Sequence, residues 1–375
     1  MIPPIVIPQA DPGAGYRAHK AEIDAAVARA LESGWYILGR EGEAFEREFA
    51  AWLGAEQAVG CANGTDALAL ILRGLDIGPG CAVATVSHTA VATVAAVEMV
   101  GAVPVLVDVA RDTYTLDPTD LAALLENPPA GLPPIRAVIV VHLYGQAADL
   151  GVLLPLCETF GIPLIEDCAQ AHGAEWQGRK LGTLGRAGAY SLYPTKNLGA
   201  LGDGGVIATS DVALAERLRA LRQYGWKERY VSAEAGVNSR LDELQAAILR
   251  VRLTHLDAGN ARRQEIARAY DAAVAVSSLS APVRRNGSTH VFHQYVLRSA
   301  DRASVQARLK EAGIGSNIHY PVPVHEQAAY AGRVAQAPSG CTQTSAAAKE
   351  VFSLPMFPEL TDAQVERVCA ALRGL

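Results

Sequence analysis

The sequence has no pair or cluster of cysteines at the spacing of a metal site. Its six cysteines lie far apart among 375 residues, and neither a C-x-x-C pair nor a Cys/His cluster occurs. This spacing predicts no bound metal. We expect the cysteines to be small buried hydrophobic residues in a reducing compartment. They are Cys61, Cys81, Cys157, Cys168, Cys341 and Cys369.

Positive charge is also scarce. The 33 lysines and arginines against 39 acidic residues give a net charge of −6, so no nucleic-acid partner is expected. The first residues, 1–4, lack a basic segment followed by an apolar one, which predicts no signal peptide and a cytoplasmic location. Glycine, proline and polar residues interrupt the uncharged stretch 77–97. That stretch therefore predicts a strand, a loop and a helix rather than a membrane span.

Short hydrophobic runs alternate with helix-length segments over the first two thirds of the chain. Runs at 82–86, 103–107 and 137–141 are rich in β-branched residues, and each is followed by a polar residue. Segments such as 89–100 and 150–160 have the length of helices. The alternation predicts an α/β fold with a mainly parallel sheet that is covered on both faces and binds ligands at the carboxyl ends of its strands.

The last third has a different pattern. It predicts separate helices at 240–256 and 262–274, followed by a second β/α section with a strand at 290–297. We place the domain boundary at the polar stretch between these two helices. The predicted domains are therefore residues 1–256 and 257–375.

Lysine is rare, and one lysine has an unusual setting. Of the six lysines, Lys196 follows an apolar run, 187–192, and precedes a glycine-rich loop. A lysine that forms a Schiff base needs a fixed backbone and room for a bulky cofactor, which this setting supplies. Taken alone, Lys196 is better explained as a surface lysine in a turn.

Two further segments bear on this lysine. An apolar strand ending at Asp167 places a carboxylate where it could keep the pyridine nitrogen of a cofactor protonated, or where it could cap a following helix. Gly64 and Thr65 open an apolar helix whose free N–H groups suit a phosphate. The alternative for this pair is an Asn-Gly turn with a threonine cap.

Together these segments resemble a known family. The sequence is similar to the DegT/DnrJ/StrS sugar aminotransferases, and the matching motifs follow the family's order along nearly the whole chain. The resemblance implies a pyridoxal-phosphate-dependent enzyme of fold type I. Such an enzyme has a large domain with a seven-stranded, mainly parallel sheet and a smaller C-terminal α/β domain. The matching segments are GWYILG (34–39), NGTDAL (63–68), EDCAQAHGA (166–174), SLYPTKNLGALGDGG (191–205), GVNSRLDELQAAIL (236–249) and IHYPVPVH (318–325).

The resemblance also implies roles for single residues. Lys196 would form the Schiff base with pyridoxal phosphate and move protons, while Asp167 would pair with the pyridine nitrogen and Gln170 would contact the ring hydroxyl. Asn238 would reach the phosphate of the neighbouring subunit's cofactor, or would cap a helix ahead of Arg240. The residues expected to bind the phosphate within the chain are Gly64, Thr65 and Ser191.

One position departs from the family. Family members usually have an aromatic residue after the motif threonine, where it stacks on the cofactor ring, but this chain has Ala90. His88 is the candidate to replace that stacking. The alternatives are that another group covers the ring and that His88 is a core or capping histidine.

The resemblance implies a homodimer with shared active sites that transfers an amino group from L-glutamate to a keto sugar nucleotide. The segments 290–295 and 319–325 look most like those of members that act on 3-keto sugars, such as dTDP-3-keto-6-deoxyhexoses, although members acting on 4-keto sugars share most motifs. His319 and Tyr320 are candidate substrate contacts, or part of a packed turn.

Some relatives replace the lysine by histidine and are sugar dehydratases, so Lys196 favours the aminotransferase branch. Two alternatives are a pyridoxal-phosphate-binding sensor without turnover and a fold type I enzyme that acts on amino acids. A basic, aromatic loop could contact a nucleotide diphosphate, or could be a solvated or dimer surface. Its residues are Trp226, Lys227, Arg229 and Tyr230.

Overall fold

A computed structural model describes residues 7–375, so residues 1–4, which carried the signal-peptide prediction, lie outside the described residues. The helices are α1 (Pro12–Ala18), α2 (Lys20–Glu32), α3 (Arg40–Leu53), α4 (Gly64–Gly74), α5 (Ala92–Met99), α6 (Pro118–Glu126), α7 (Leu150–Thr159), α8 (Val212–Leu221), α9 (Glu243–Val274), α10 (Arg302–Glu311), α11 (Thr342–Glu350) and α12 (Asp362–Arg373). The strands are β1 (Gln57–Cys61), β2 (Ala82–Val86), β3 (Val103–Val107), β4 (Ile135–Val141), β5 (Leu164–Asp167), β6 (Glu175–Trp176), β7 (Arg179–Lys180), β8 (Ala187–Ser191), β9 (Gly205–Thr209), β10 (Trp226–Glu228), β11 (Val231–Ser232), β12 (Tyr295–Arg298), β13 (Ala335–Gln336) and β14 (Val351–Leu354).

The large sheet is mainly parallel, as predicted, but within residues 7–375 it has eight strands rather than seven. Its order is β1-β9-β8-β5-β4-β2-β3-β13. The pairs β1–β9 and β8–β9 are antiparallel, and the other five pairs in this order are parallel. The additional strand is the two-residue β13, which comes from the C-terminal part of the chain and pairs in parallel with β3. A pairing of two residues carries no hydrophobic run, so the sequence pattern did not indicate it.

Helices cover both faces of this sheet, because the side chains of each strand alternate between the faces. On β4, Val138 and Val140 pack into the core that includes Phe45 and Phe49 of α3. The intervening residue Ile139 packs into the opposite core, beneath α4 and α8. The stretch 77–97 forms β2 and α5 as predicted. Among residues 7–375, no helix is both long and apolar enough to cross a bilayer.

Helix α9 corrects the prediction of two separate helices. It runs without a break for 32 residues, through the polar stretch that was expected to end the first helix. Tertiary contacts there outweigh the local sequence preference. Asn260 is buried and its Nδ2 donates to His172 O at 2.8 Å, while Gly259 lies against Pro358.

The helix also passes from one hydrophobic core to another. Leu253 and Leu256 pack with the large sheet, whereas Ile266 and Tyr270 belong to a core formed with β12, β14 and α12. The proposed domain division at 256/257 therefore falls within α9, between residues of the two cores, and it stays a prediction.

The C-terminal part contains a two-stranded antiparallel sheet of β12 and β14. The predicted strand 290–297 begins only at Tyr295, because the preceding residues bond to a turn of the large sheet's edge. The backbone N–H groups of Val291 and Gln294 donate to Gly145 O and Tyr144 O at 2.9 and 3.3 Å. These hydrogen bonds bring the C-terminal part of the chain to the carboxyl edge of the sheet.

Candidate active site

Strand β5 places Asp167 at the carboxyl edge of the sheet. Thr93 Oγ1 donates to Oδ2 of the buried carboxylate at 2.9 Å, and Ala169 N donates to Oδ1 at 3.1 Å. Burial raises the pKa of Asp167, and these hydrogen bonds offset only part of the shift. The capping alternative is wrong, because the segment between Asp167 and β6 forms turns rather than a helix.

Lys196 lies in the loop between β8 and β9, near this carboxylate. Burial lowers the pKa of Lys196 to about 8, although the charge of Asp167 acts in the opposite direction. A lysine with this pKa supplies neutral amine at mildly basic pH, which a nucleophile requires. The loop is fixed by Asn197, whose Nδ2 donates to Asn260 Oδ1 at 2.8 Å and to Val291 O at 3.0 Å.

Tyr144, which the sequence did not indicate, bonds to three of the predicted site residues and reaches a fourth, Tyr320, through Gln170. Its backbone N–H donates to Gln170 Oε1 at 2.7 Å, and Gln170 Nε2 donates to Tyr320 OH at 3.0 Å. Its hydroxyl donates to His319 O and lies 2.8 Å from His88 Nε2. Tyr144 has a φ of 62°, an uncommon conformation for a residue with a side chain. The only signal in the sequence is its place just after β4.

These contacts determine which ring nitrogen of His88 carries a proton. Because the Tyr144 hydroxyl gives its proton to His319 O, His88 Nε2 must carry a proton and donate to the tyrosine oxygen. Burial lowers the pKa of His88 to about 4, so the ring is neutral. Its Nδ1 is buried and has no hydrogen-bond partner among residues 7–375. His88 is therefore a buried neutral imidazole with one free acceptor.

The residues expected to bind phosphate meet at the start of α4. The cap of the helix is Asn63, whose Oδ1 accepts from Asp66 N at 2.8 Å, so the threonine-cap alternative is wrong. A Cβ on Gly64 would lie 2.7 Å from the Cβ of Ser191, which shows that these two residues are in close contact. Gly64 and Thr65 are the first two residues of α4, with Ser191 beside them.

Ser239, which the sequence did not indicate either, links the segment before α9 to the turn at the start of α4. Its Oγ accepts from Ala62 N at 3.0 Å and donates to Asp66 Oδ2 at 2.6 Å. The neighbouring Asn238 is exposed and lines a surface cavity of about 360 Å³ together with Ala62. Asn238 does not cap a helix, because α9 begins at Glu243 with Asp242 as its cap.

Glu166 binds the segment 182–185, which precedes β8. It is fully buried, and its carboxylate accepts from the backbone N–H groups of Gly182, Leu184 and Gly185 at 2.7–2.8 Å. Since His142 Nδ1 accepts from Ala148 N, its Nε2 carries the proton that is shared with Glu166 at 3.1 Å. Burial alone would raise the pKa of Glu166, but these hydrogen bonds outweigh burial and hold it below the usual value.

The geometry fits pyridoxal phosphate. The N–H groups of Gly64 and Thr65, at the start of α4, have no acceptor within the helix and suit a dianionic phosphate. Packing of Gly64 against Ser191 leaves no room for a side chain at that turn. A buried carboxylate, Asp167, and an amine of lowered pKa, Lys196, lie beyond it. These are the groups that would hold the phosphate, the pyridine nitrogen and the aldehyde.

Comparison with known proteins agrees with this arrangement. Residues 17–373 match the model of the DegT/DnrJ/EryC1/StrS aminotransferase family. The chain belongs to this family; it is an aminotransferase of fold type I, and pyridoxal phosphate is its cofactor.

Particular relatives are similar over almost their whole length. The chain is 45% identical to a dTDP-3-amino-3,4,6-trideoxy-alpha-D-glucose transaminase of Streptomyces venezuelae, over 98% of this chain and 95% of that protein. It is similar in structure to S. venezuelae DesV in complex with a ketimine intermediate, with a TM-score of 0.94, 44% identity and coverage of 99% and 98% of the two chains. A Bacillus subtilis protein, NtdA, with bound cofactor PMP has a TM-score of 0.84 at 27% identity, with coverage of 95% of this chain and 81% of that one.

Proposed function

We propose that the chain transfers the amino group of L-glutamate to the C3 carbonyl of a nucleotide-diphosphate 3-keto-6-deoxyhexose, and that it does so in the cytoplasm as a homodimer. The observation that carries this proposal is that Lys196, Asp167 and the start of α4 converge on one edge of the sheet. The alternatives are a 4-keto sugar nucleotide as acceptor and a sensor without turnover.

Each residue at this edge of the sheet has a separate role in the proposed reaction. Pyridoxal phosphate supplies the aldehyde and the electron sink that make transfer of an amino group possible. Lys196, with a pKa of about 8, holds the cofactor and afterwards accepts and returns protons at its amine. Asp167 keeps a proton on the ring nitrogen, and Thr93 holds that carboxylate in place. Gln170 bridges Tyr144 and Tyr320, so it orients one wall of the site.

The preference for a 3-keto acceptor rests on similarity and on the position of two residues. The S. venezuelae relative makes a 3-amino sugar nucleotide by its name. His319 and Tyr320 are bonded to Tyr144 and Gln170 at the site, where they would contact the sugar. His319 Nδ1 also lies 2.8 Å from Ser353 Oγ, so the position of its ring is fixed from the C-terminal part of the chain.

An exposed aromatic surface supports the dimer. Trp35 and Tyr230 are 61% and 73% exposed, and both line one cavity of about 770 Å³ with the loop that contains Lys227 and Arg229. Exposed aromatic clusters of this kind are typical of protein interfaces. We assign this surface to the dimer and to the nucleotide diphosphate, which Lys227 and Arg229 would bind from its margin.

Absorption spectra test the first half of the proposal. Wild-type protein with pyridoxal phosphate should show a visible band that L-glutamate bleaches, whereas Lys196→Ala should show neither the band nor turnover. The matched control is Lys310→Ala, which removes an exposed lysine of α10 and should behave as wild type. A wild-type band that glutamate leaves unchanged would contradict glutamate as the donor.

The bleached protein then tests the acceptor. We expect 3-keto sugar nucleotides to restore the visible band at least tenfold faster than 4-keto isomers with the same nucleotide. Equal or reversed rates would overturn the assignment of C3, and restoration by neither would favour the sensor.

Mixed dimers test whether active sites are shared. Neither Lys196→Ala nor Asn238→Asp homodimers should be active. A mixture of the two should regain activity if Asn238 acts across the interface, because one of the two sites then has both residues. If Asn238 acts within its own chain, mixing restores nothing. Trp35→Glu should also yield monomers by light scattering, whereas Val276→Glu, at another exposed apolar residue, should not.

A further inference from the structure

Two histidines and a glutamate that have no role in the proposed transamination lie close together at the surface. His19 caps the start of α2 without a side-chain hydrogen bond to the helix, and Glu22 lies one turn later. His255 approaches them from the middle of α9. The three residues each offer one ligand atom, and these atoms lie within 4.8 Å of one another. No sequence motif indicates a metal site here, because the histidines are separated by more than 200 residues and belong to different helices.

The distances suit a shared ion. His255 Nε2 lies 3.1 Å from one oxygen of Glu22, and His19 Nδ1 lies 3.7 Å from the other. Ligand atoms arranged tetrahedrally about 2.1 Å from a zinc ion lie about 3.4 Å apart. Both nitrogen-to-oxygen distances are therefore close to those of a coordinated ion.

One of the two imidazoles must turn before both can bind the same ion. Their rings are stacked, with centroids 3.7 Å apart and planes 15° from parallel. Parallel rings direct their nitrogens along separate planes, so coordination requires one ring to turn out of the stack. The side chains of His19 and His255 are 29% and 35% exposed, so both are accessible to an aqueous ion.

There is also space for the remaining ligands. His19 and His255 line a cavity of about 290 Å³ between α1, α9 and the loop of Lys196. Water molecules in this cavity can complete the coordination of an ion that has only three protein ligands.

We propose that His19, Glu22 and His255 bind one divalent transition-metal ion of the zinc type, which links α2 to α9. Two imidazoles and a carboxylate are ligands that zinc and its neighbours accept, with water in the fourth position. The hard ions Mg²⁺ and Ca²⁺ prefer oxygen ligands and should not compete.

Titration with Co²⁺ and then Zn²⁺ tests the site. The protein is the full chain without a histidine tag, loaded with pyridoxal phosphate and freed of metal by a chelator. We expect one Co²⁺ per chain, visible d–d absorption of a low-coordinate nitrogen and oxygen site, and displacement by Zn²⁺ but not by Mg²⁺. Zn²⁺ should also raise the melting temperature of the wild type.

Variants distinguish this site from adventitious binding. His255→Ala, His19→Ala and Glu22→Gln should each weaken Co²⁺ binding by about tenfold or more, since each removes one ligand. The control Glu32→Gln removes another exposed carboxylate of α2 and should bind as wild type does. Circular dichroism checks that each variant is folded. Because two different histidine variants are used, the test still works if one of them fails to fold. Binding that is absent in the wild type, or unchanged in folded His255→Ala and Glu22→Gln, would overturn the proposal.

Discussion

Replacing Glu166 by glutamine tests how much the hydrogen bonds of this buried carboxylate contribute to the free energy of unfolding. The carboxylate is completely buried and accepts four hydrogen bonds, three from backbone N–H groups and one from His142. Oε1 accepts from Leu184 and Gly185, while Oε2 accepts from Gly182 and His142. An amide retains one oxygen and turns the other into an NH₂ group, so two buried donors would face a third donor.

The expected cost follows from that geometry. Each hydrogen bond to a charged acceptor contributes about 1.5–3 kcal/mol, and the amide would lose two of the four. We therefore expect Glu166→Gln to lower the free energy of unfolding by about 3–6 kcal/mol. Urea unfolding of the cofactor-free protein at a fixed concentration measures this change. Glu158→Gln, at an exposed carboxylate on α7, should change it by less than about 0.5 kcal/mol.

The effect should also depend on pH in a defined direction. The pKa of Glu166 in the folded chain lies below its ordinary value of 4.5, so the native state binds this proton less readily than the unfolded state. The stabilisation is thus complete above the ordinary pKa and is lost as the pH falls through the lower, folded-state value. The difference between wild type and variant should be constant from about pH 6 to 8 and shrink below about pH 4. A difference below about 1 kcal/mol at pH 7 would refute the reasoning.

Three further predictions concern the site itself. Gly64→Ala should weaken the binding of pyridoxal phosphate about tenfold or more, which corresponds to about 1.4 kcal/mol. The reason is that the new Cβ would lie 2.7 Å from the Cβ of Ser191. Fluorescence titration with pyridoxal phosphate measures the affinity. Asn260→Ala frees Asn197 and should slow the glutamate half-reaction by about 10–100-fold in stopped-flow absorption, with cofactor affinity little changed. The capture of pyridoxal phosphate by cofactor-free protein requires neutral Lys196, so its rate should rise with pH to a midpoint near 8; a midpoint near 10.5 would contradict the lowered pKa.

The elements that the sequence predicted well are those with strong local patterns. Strands such as β2 and β3 are continuous apolar runs bounded by turns, and their limits agree with the prediction. The structure also brings Lys196, Asp167 and Gly64 to one edge, as expected from the carboxyl ends of parallel strands. Motif similarity, rather than any one of these residues, distinguished a cofactor site from ordinary turns and caps.

The elements that were missed depend on contacts between distant parts of the chain. Tyr144 and Ser239 act through hydrogen bonds to residues far away in sequence, and neither stands in a pattern of its own. The continuity of α9 depends on Asn260, a polar residue whose burial no periodicity indicates. Strand β13 is too short to have a pattern, because only its pairing with β3 defines it.

The unbroken course of α9 has a consequence for how the chain can be divided. A fragment ending at residue 256 would lose the half of the helix that holds Asn197, and a fragment beginning at 257 would lack the first half on which its own helix is built. Each piece would expose apolar side chains that the other normally covers. The protein should therefore resist separation into two autonomous modules, and swapping its C-terminal part between relatives would require joints placed outside the helix, before Glu243 or after Val274.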